Sequence, residues 1–148
     1  MGWSDTFLKV LKDNDVRLVT YVPDNVLTPL LNGVTSDNYF RSVCTTREDE
    51  GVGVVAGAWM GGMKSVVMMQ TSGFALIANA LASLTVPSQI PTVMVISERG
   101  TMGEFNVGQH LVARTMGRFW NRWASPITPR MTKPRCRSSS TARSSRRS

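Results

Sequence analysis

With 148 residues and 42% hydrophobic content, the chain is long enough for one domain with a core of its own. Its formal charge of +7 is confined to one end: residues 1–117 carry eight basic against ten acidic side chains, and residues 118–148 carry nine basic and no acidic ones. A single histidine, two cysteines (Cys44 and Cys136) on opposite sides of that break, and no apolar run of spanning length exclude a structural zinc site and a membrane protein. They imply a reduced, cytoplasmic setting with no metal held by this chain.

Taken in chain order, a helix is expected from an N-cap at Ser4 through Phe7, Leu8, Val10 and Leu11, followed by a strand over Val16–Val22. Pro23-Asp24-Asn25 opens a second helix through Leu27, Leu30 and Leu31 that closes near Asn32-Gly33. A strand over Phe40–Cys44 precedes a helix over Glu48–Gly62, and a third strand covers Ser65–Gln70. Thr71-Ser72-Gly73 turns the chain into a helix over Phe74–Leu84. A fourth strand, Thr92–Ser97, a loop over Glu98–Asn106 and a helix over Val107–Met116 complete the pattern. Strands alternating with helices specify an α/β fold, an open, mainly parallel sheet with helices on both faces. The domain is expected to span residues 1–117 and to be incomplete.

Beyond Gly117 no apolar period is recognised, and serine, proline and arginine dominate without a single acid. That is a disordered composition. One reading makes residues 118–148 a basic tail that contacts nucleic acid through counterion release. The other makes it an abnormal terminus, such as an out-of-frame translation, that replaces the rest of the domain. The second is favoured because a four-strand sheet of this class looks unfinished, so nucleic acid is not the expected partner.

In an open α/β sheet, ligands bind outside the carboxyl ends of the strands. Here those ends are Pro23-Asp24, Thr46–Glu48, Thr71–Gly73 and Glu98–Gly100, and every polar motif of the chain falls on one of them. Glu48-Asp49-Glu50 runs into a glycine, alanine and valine helix with no polar face, over which a flat ligand or another backbone could approach closely. A carboxylate there could hydrogen-bond a heterocycle nitrogen. The plainer reading is a helix N-terminus whose acids suit its dipole. Asp24 is likewise either a helix cap or a catalytic carboxylate. Gly51-x-Gly53-x-x-x-Gly57 lies too far past the strand for a dinucleotide loop. Met60, Met63, Met68 and Met69 are expected as core filler, His110 as an ordinary helix residue, and Ser72 lacks the elbow of a hydrolase nucleophile.

An ordered set of segments resembles the pyrimidine-binding domain of thiamine diphosphate (ThDP) enzymes, on the side of sulfopyruvate and phosphonopyruvate decarboxylases. The set comprises Tyr21-Val22-Pro23-Asp24, Thr46-Arg47-Glu48 through Gly57-Ala58, Gln70-Thr71-Ser72-Gly73, Asn79-Ala80-Leu81, Ile96 to Gly100, Gly103 to Asn106, and Gln109. The resemblance implies that Glu48, nine residues before Gly57, bonds N1′ of the aminopyrimidine and favours the imino form that activates the thiazolium for decarboxylation of a 2-oxo acid. It implies a catalytic role for Asp24, cofactor contacts from Gln70, Thr71, Ser72 and Gly73, and substrate contacts from Arg99 and Asn106. Two departures stand out. Ser72-Gly73-Phe74-Ala75 replaces the Ser-Gly-Leu-Gly or Ser-Gly-Pro-Gly turn of many relatives, and the Gly-Asp-Gly…Asn motif that holds diphosphate and Mg²⁺ is absent. The resemblance therefore implies a hetero-oligomer in which a diphosphate-binding (beta) subunit supplies Mg²⁺ and shares the ThDP. The rival expectations are a non-catalytic α/β binding protein and an inactive fragment of the enzyme.

Overall fold

The computed structural model describes residues 2–123. Helix α1 (Trp3–Asp13) leads into β1 (Val16–Tyr21), α2 (Thr28–Ser36), β2 (Arg41–Cys44), α3 (Glu48–Met60) and β3 (Lys64–Gln70). Two short helices, α4 (Thr71–Leu76) and α5 (Ala78–Ala80), run into a π-helical turn over Leu81–Thr85; β4 (Val93–Ser97) and α6 (Val107–Trp123) follow. All strand pairs are parallel, in the order β2-β1-β3-β4. This is the open α/β sheet with helices on both faces that the alternating pattern demands.

The alternation of side chains along β3 divides the interior in two. Val66 and Met68 pack with Leu11, Leu27, Leu30, Leu31 and Val34 under α1 and α2. Val67 and Met69 pack with Val52, Val55, Phe74, Ile77 and Met116 under α3, α4 and α6. None of the four β3 residues is more than 1% exposed. β2, an edge strand, is exposed along its whole length.

Several boundaries differ from expectation, each for a packing reason. Helix α2 continues through Gly33 to Ser36 because Val34 extends its buried stripe, and Gly33 lies against Leu8 rather than capping the helix. The third turn begins its helix at Thr71 itself, since the Thr71 hydroxyl donates to the Ser97 carbonyl (3.0 Å) and fixes the chain at the end of the strand. The single helix expected over 74–84 is broken, with the Val86 amide donating to the Leu81 carbonyl (3.0 Å) in the π turn. Met68 and Met69 fill the core, but Met60 is 71% exposed on the outer side of α3.

The largest difference is α6, which passes Met116 and Gly117 and ends at Trp123. Val112, Met116 and Phe119 form one helical face on the second core, a period that runs across the charge break. Phe119 meets Phe74 edge-on at 6.0 Å between centroids, and Trp120 lies 5.4 Å from the same ring. The remainder of the basic segment, residues 124–148, lies outside the described residues, and so do the disorder and the frame change expected of it.

A chain ended after Gly117 should therefore unfold more readily than one ended after Trp123. The lost aromatic packing predicts a deficit on the order of 2 kcal/mol, roughly 8 °C in the thermal midpoint. Calorimetry on the two truncations measures it, and equal midpoints would show that the last turns of α6 contribute nothing. Phe74→Ala, at a site 3% exposed, should cost about 3–5 kcal/mol in urea unfolding.

Candidate functional site

The turn after β2 is tied to β1, where the Thr45 amide donates to the Tyr21 carbonyl at 2.9 Å. Arg47, extended at φ −139° and ψ 152°, is the N-cap of α3, which puts three acids in the first turn. Each acid has a different surrounding. Asp49 pairs outward with Arg47 through two bonds of 3.1 Å, and Glu50 reaches back to accept the Thr46 amide at 3.0 Å. Glu48 alone turns inward and is 9% exposed.

The carboxyl of Glu48 rests on the bare backbone of Gly73. A Cβ on Gly73 would stand 2.3 Å from Oε1 and 2.5 Å from Cδ, so a side chain there and this carboxylate exclude each other. Among the described residues no hydrogen-bond donor reaches Glu48. Neither oxygen is among the buried polar atoms left without a partner, so the carboxyl keeps an opening to solvent, and its free acceptor positions suit an N–H or a protonated ring nitrogen from outside the chain. Beneath it, Gly51 presses α3 onto the sheet: its carbonyl accepts from Thr20 Oγ1 at 3.3 Å, and an added Cβ would lie 3.0 Å from that oxygen. Gly53 and Gly57 face the other way, with no atom within 4 Å of a built Cβ. They form a flat outer side of α3 beside half-exposed Val54 and Trp59.

A second group of site residues gathers at the ends of β1 and β4. Asp24 Oδ1 accepts the Val26 and Leu27 amides (2.9 and 3.2 Å), capping the turn into α2, while Oδ2 lies 3.6 Å from Arg99 Nη1. Arg99 is clamped by Glu104 through Nε (2.8 Å) and Nη2 (3.1 Å). The Arg99 pair, and after it the Asn106 and Gly100 amides, lower the Glu104 carboxyl from 4.5 to about 2; Glu104 in turn raises Arg99. The Arg99 amide donates to Thr71 Oγ1 at 2.9 Å, joining the loop to α4. Gly100, at φ +80°, permits the Gln109 carbonyl to come where a Cβ would be 2.3 Å from it, and His110 Nδ1 donates to the Gly100 carbonyl at 3.0 Å. His110 is thus a brace for the loop. Asn106 uses Oδ1 to accept the Gly108 amide (3.1 Å) at the start of α6.

The structure therefore joins Glu48 to Gly73, and Asp24 to Arg99 and Thr71, with α4 carrying a member of each group. Ser72 is half-buried between Thr71 and Gly73. Gln70 Oε1, Ser97 Oγ and Gln109 Oε1 are buried without partners among the described residues. Glu104 was not read from the sequence as a site residue. It lies inside the segment Gly103 to Asn106 that carries the resemblance, but no role attaches to it there.

No protein-family model matches the chain. Over 104 residues it is 38% identical to the sulfopyruvate decarboxylase subunit alpha of Methanococcus maripaludis, an alignment covering 70% of this chain and 62% of that one. The corresponding subunit of Methanothermobacter thermautotrophicus is 40% identical over 107 residues (72% and 65%). Phosphonopyruvate decarboxylase of Streptomyces viridochromogenes is 42% identical over 103 residues, covering 69% of this chain and 26% of that protein. The chain is homologous to these decarboxylases. It spans less than two thirds of the decarboxylase alpha subunits it matches.

Two outcomes test this geometry without reference to the decarboxylases' activity. Gly73→Ala should keep the fold but push the Glu48 carboxyl outward, so that carbodiimide labelling of Glu48, read by mass spectrometry, rises several-fold over the parent chain. Unchanged labelling would refute the seat assigned to Gly73. Because the Glu104 carboxyl titrates lower in the folded chain than the ordinary 4.5, it contributes stability above that pH and loses it as pH falls toward about 2. Glu104→Gln should flatten that part of the acid limb in urea unfolding, and an unaltered limb would contradict the assignment.

Proposed function

We propose that this chain is the pyrimidine-binding part of a ThDP-dependent 2-oxo acid decarboxylase, acting on a small anionic substrate such as sulfopyruvate or phosphonopyruvate. The observation that carries the reading is Glu48: an inward carboxylate with no hydrogen-bond donor among the described residues, seated on a glycine at the carboxyl end of a parallel sheet. The names of the homologous decarboxylases supply the reaction class and the substrates. When bound, ThDP supplies the electron sink for loss of carbon dioxide from a 2-oxo acid.

Within this chain, Glu48 would hold a proton against the N1′ position of the pyrimidine, with no competing donor among the described residues. Thr71, Ser72 and Gly73 would form the floor on which the ring lies, with Gln70 beside them. Asp24 would present its carboxylate to the reacting centre from the end of β1. Arg99 and Asn106 would contribute by shaping the rim, since Arg99 is paired with two carboxylates and Asn106 caps α6. The sequence has no Gly-Asp-Gly…Asn motif, so Mg²⁺ and the diphosphate are assigned to a partner subunit. A cytoplasmic setting belongs to the same proposal; Cys44 has no disulfide partner among the described residues.

In a complex reconstituted with the diphosphate-binding chain, Glu48→Gln should lower decarboxylation on the order of 10²–10⁴-fold with the fold intact. Near-parental turnover would remove Glu48 from the mechanism. Calorimetric titration of the isolated chain with ThDP and Mg²⁺ should give no binding tighter than millimolar, whereas micromolar binding would contradict the division of the site between two chains.

A further inference from the structure

Glu104 is the most heavily bonded carboxylate at the carboxyl end of the sheet. Its side chain is 6% exposed. Oε1 accepts Arg99 Nη2 (3.1 Å) and the Asn106 amide (3.0 Å); Oε2 accepts Arg99 Nε (2.8 Å) and the Gly100 amide (3.2 Å). Two donors on each oxygen fill the four acceptor positions of a carboxylate, so Glu104 has nothing left to offer a ligand. What it can do is fix a guanidinium. A bidentate pair sets the plane of Arg99 as well as its position, and the remaining nitrogen, Nη1, then lies 3.6 Å from Asp24 Oδ2.

The contact between Arg99 and Asp24 joins strands that are not neighbours. In the order β2-β1-β3-β4, the loops after β4 and β1 are separated by β3, so the ion pair passes across the end of β3, where Thr71 receives the Arg99 amide. Asp24 is thus held from two sides. The turn before α2 takes Oδ1 through two amides, and Arg99 faces Oδ2.

We propose that Glu104 is a positioning residue for Asp24: by fixing Arg99 through its bidentate pair, it sets where the Asp24 carboxylate stands at the carboxyl end of β1. The functional weight of this inference rests on the reading of Asp24 as a group at the reacting centre. The competing account is a brace for the loop over 98–106 with no effect on Asp24.

Two readouts separate these accounts. In the full chain with ¹³C-labelled aspartate carboxyls, the Asp24 resonance is identified by its loss in Asp24→Asn. Glu104→Gln should move that resonance at neutral pH while those of Asp5 and Asp13 on α1 stay in place. An unmoved Asp24 resonance in a folded variant overturns the proposal. In the complex with the diphosphate-binding chain, ThDP, Mg²⁺ and sulfopyruvate, Glu104→Gln should lower kcat about 10²-fold, the scale of a misplaced catalytic group, with KM little changed. Combined with Asp24→Asn it should add no further loss, and a fully additive loss overturns the proposal in favour of the brace. Parental turnover by Asp24→Asn would remove the functional reading of Asp24 but leave the resonance shift in place, so the two failures are distinguishable. Should Glu104→Gln not fold, Glu104→Asp keeps the charge while shortening the reach, and the same shift and the same masking by Asp24→Asn are required of it.

Discussion

Everything at the carboxyl end of the sheet depends on the burial of β3 from both sides. Val66 to Met69 have no exposed face, so the strand can carry no polar group until Gln70. The chemistry is thereby pushed to the residues that follow, and the parallel register sets Gln70 level with Ser97 of β4 while Tyr21 of β1 lies level with Met68. Thr71 then ties the ends together, donating to the Ser97 carbonyl and accepting the Arg99 amide. One hydroxyl fixes both the start of α4 and the departure of the loop after β4, which places Gly73 under Glu48 and Arg99 opposite Asp24.

Two carboxylates in this region differ in what surrounds them. Glu104 has every acceptor position occupied by its own chain, is pulled far below the ordinary carboxylate range, and behaves as a fixed anion. Glu48 has a glycine floor and no donor among the described residues. Burial alone does not distinguish them, since both are largely hidden from solvent. The count of donors does, and it separates an anion whose acceptor positions are all taken by its own chain from one whose positions stay open among the described residues.

The strands were legible because Val66-Val67-Met68-Met69 and Val93 to Ile96 are too apolar and too short to be anything else in a chain that alternates with helices. Their polar ends followed directly. Helix lengths were less legible. The end of α6 was hidden by the abrupt rise in arginine content, although Val112, Met116 and Phe119 continue one face across it. Composition, averaged over a window, outweighed a period carried by three residues. Of the three acids opening α3, the resemblance singles out Glu48 by its place nine residues before Gly57, whereas composition and periodicity do not; the physical reason it can turn inward is the bare backbone of Gly73, twenty-five residues on. Glu104 stands in the segment Gly103 to Asn106 that carries the resemblance but has no role legible there, because its importance lies in a guanidinium and two amides brought together only by the loop's fold. Asp24 was undecided between cap and catalytic group, and the structure gives one of its oxygens to the cap and turns the other toward Arg99.

The outer side of α3 carries a cost that nothing among the described residues offsets. Gly53 and Gly57 lie in the interior of a helix, where glycine is about 1 kcal/mol less favourable than alanine. Gly51 has a reason for its bareness in Thr20 and Val67; Gly53 and Gly57, among the described residues, have no atom beyond their own stretch of helix within 4 Å to avoid. Alanine at either position would stiffen the helix at no steric expense inside this protein. A saturation-mutagenesis screen scored separately for abundance and for activity would consequently split at these two residues: gain in the first, indifferent to anything this chain contains, and any loss in the second reporting the shape of a surface that comes from elsewhere.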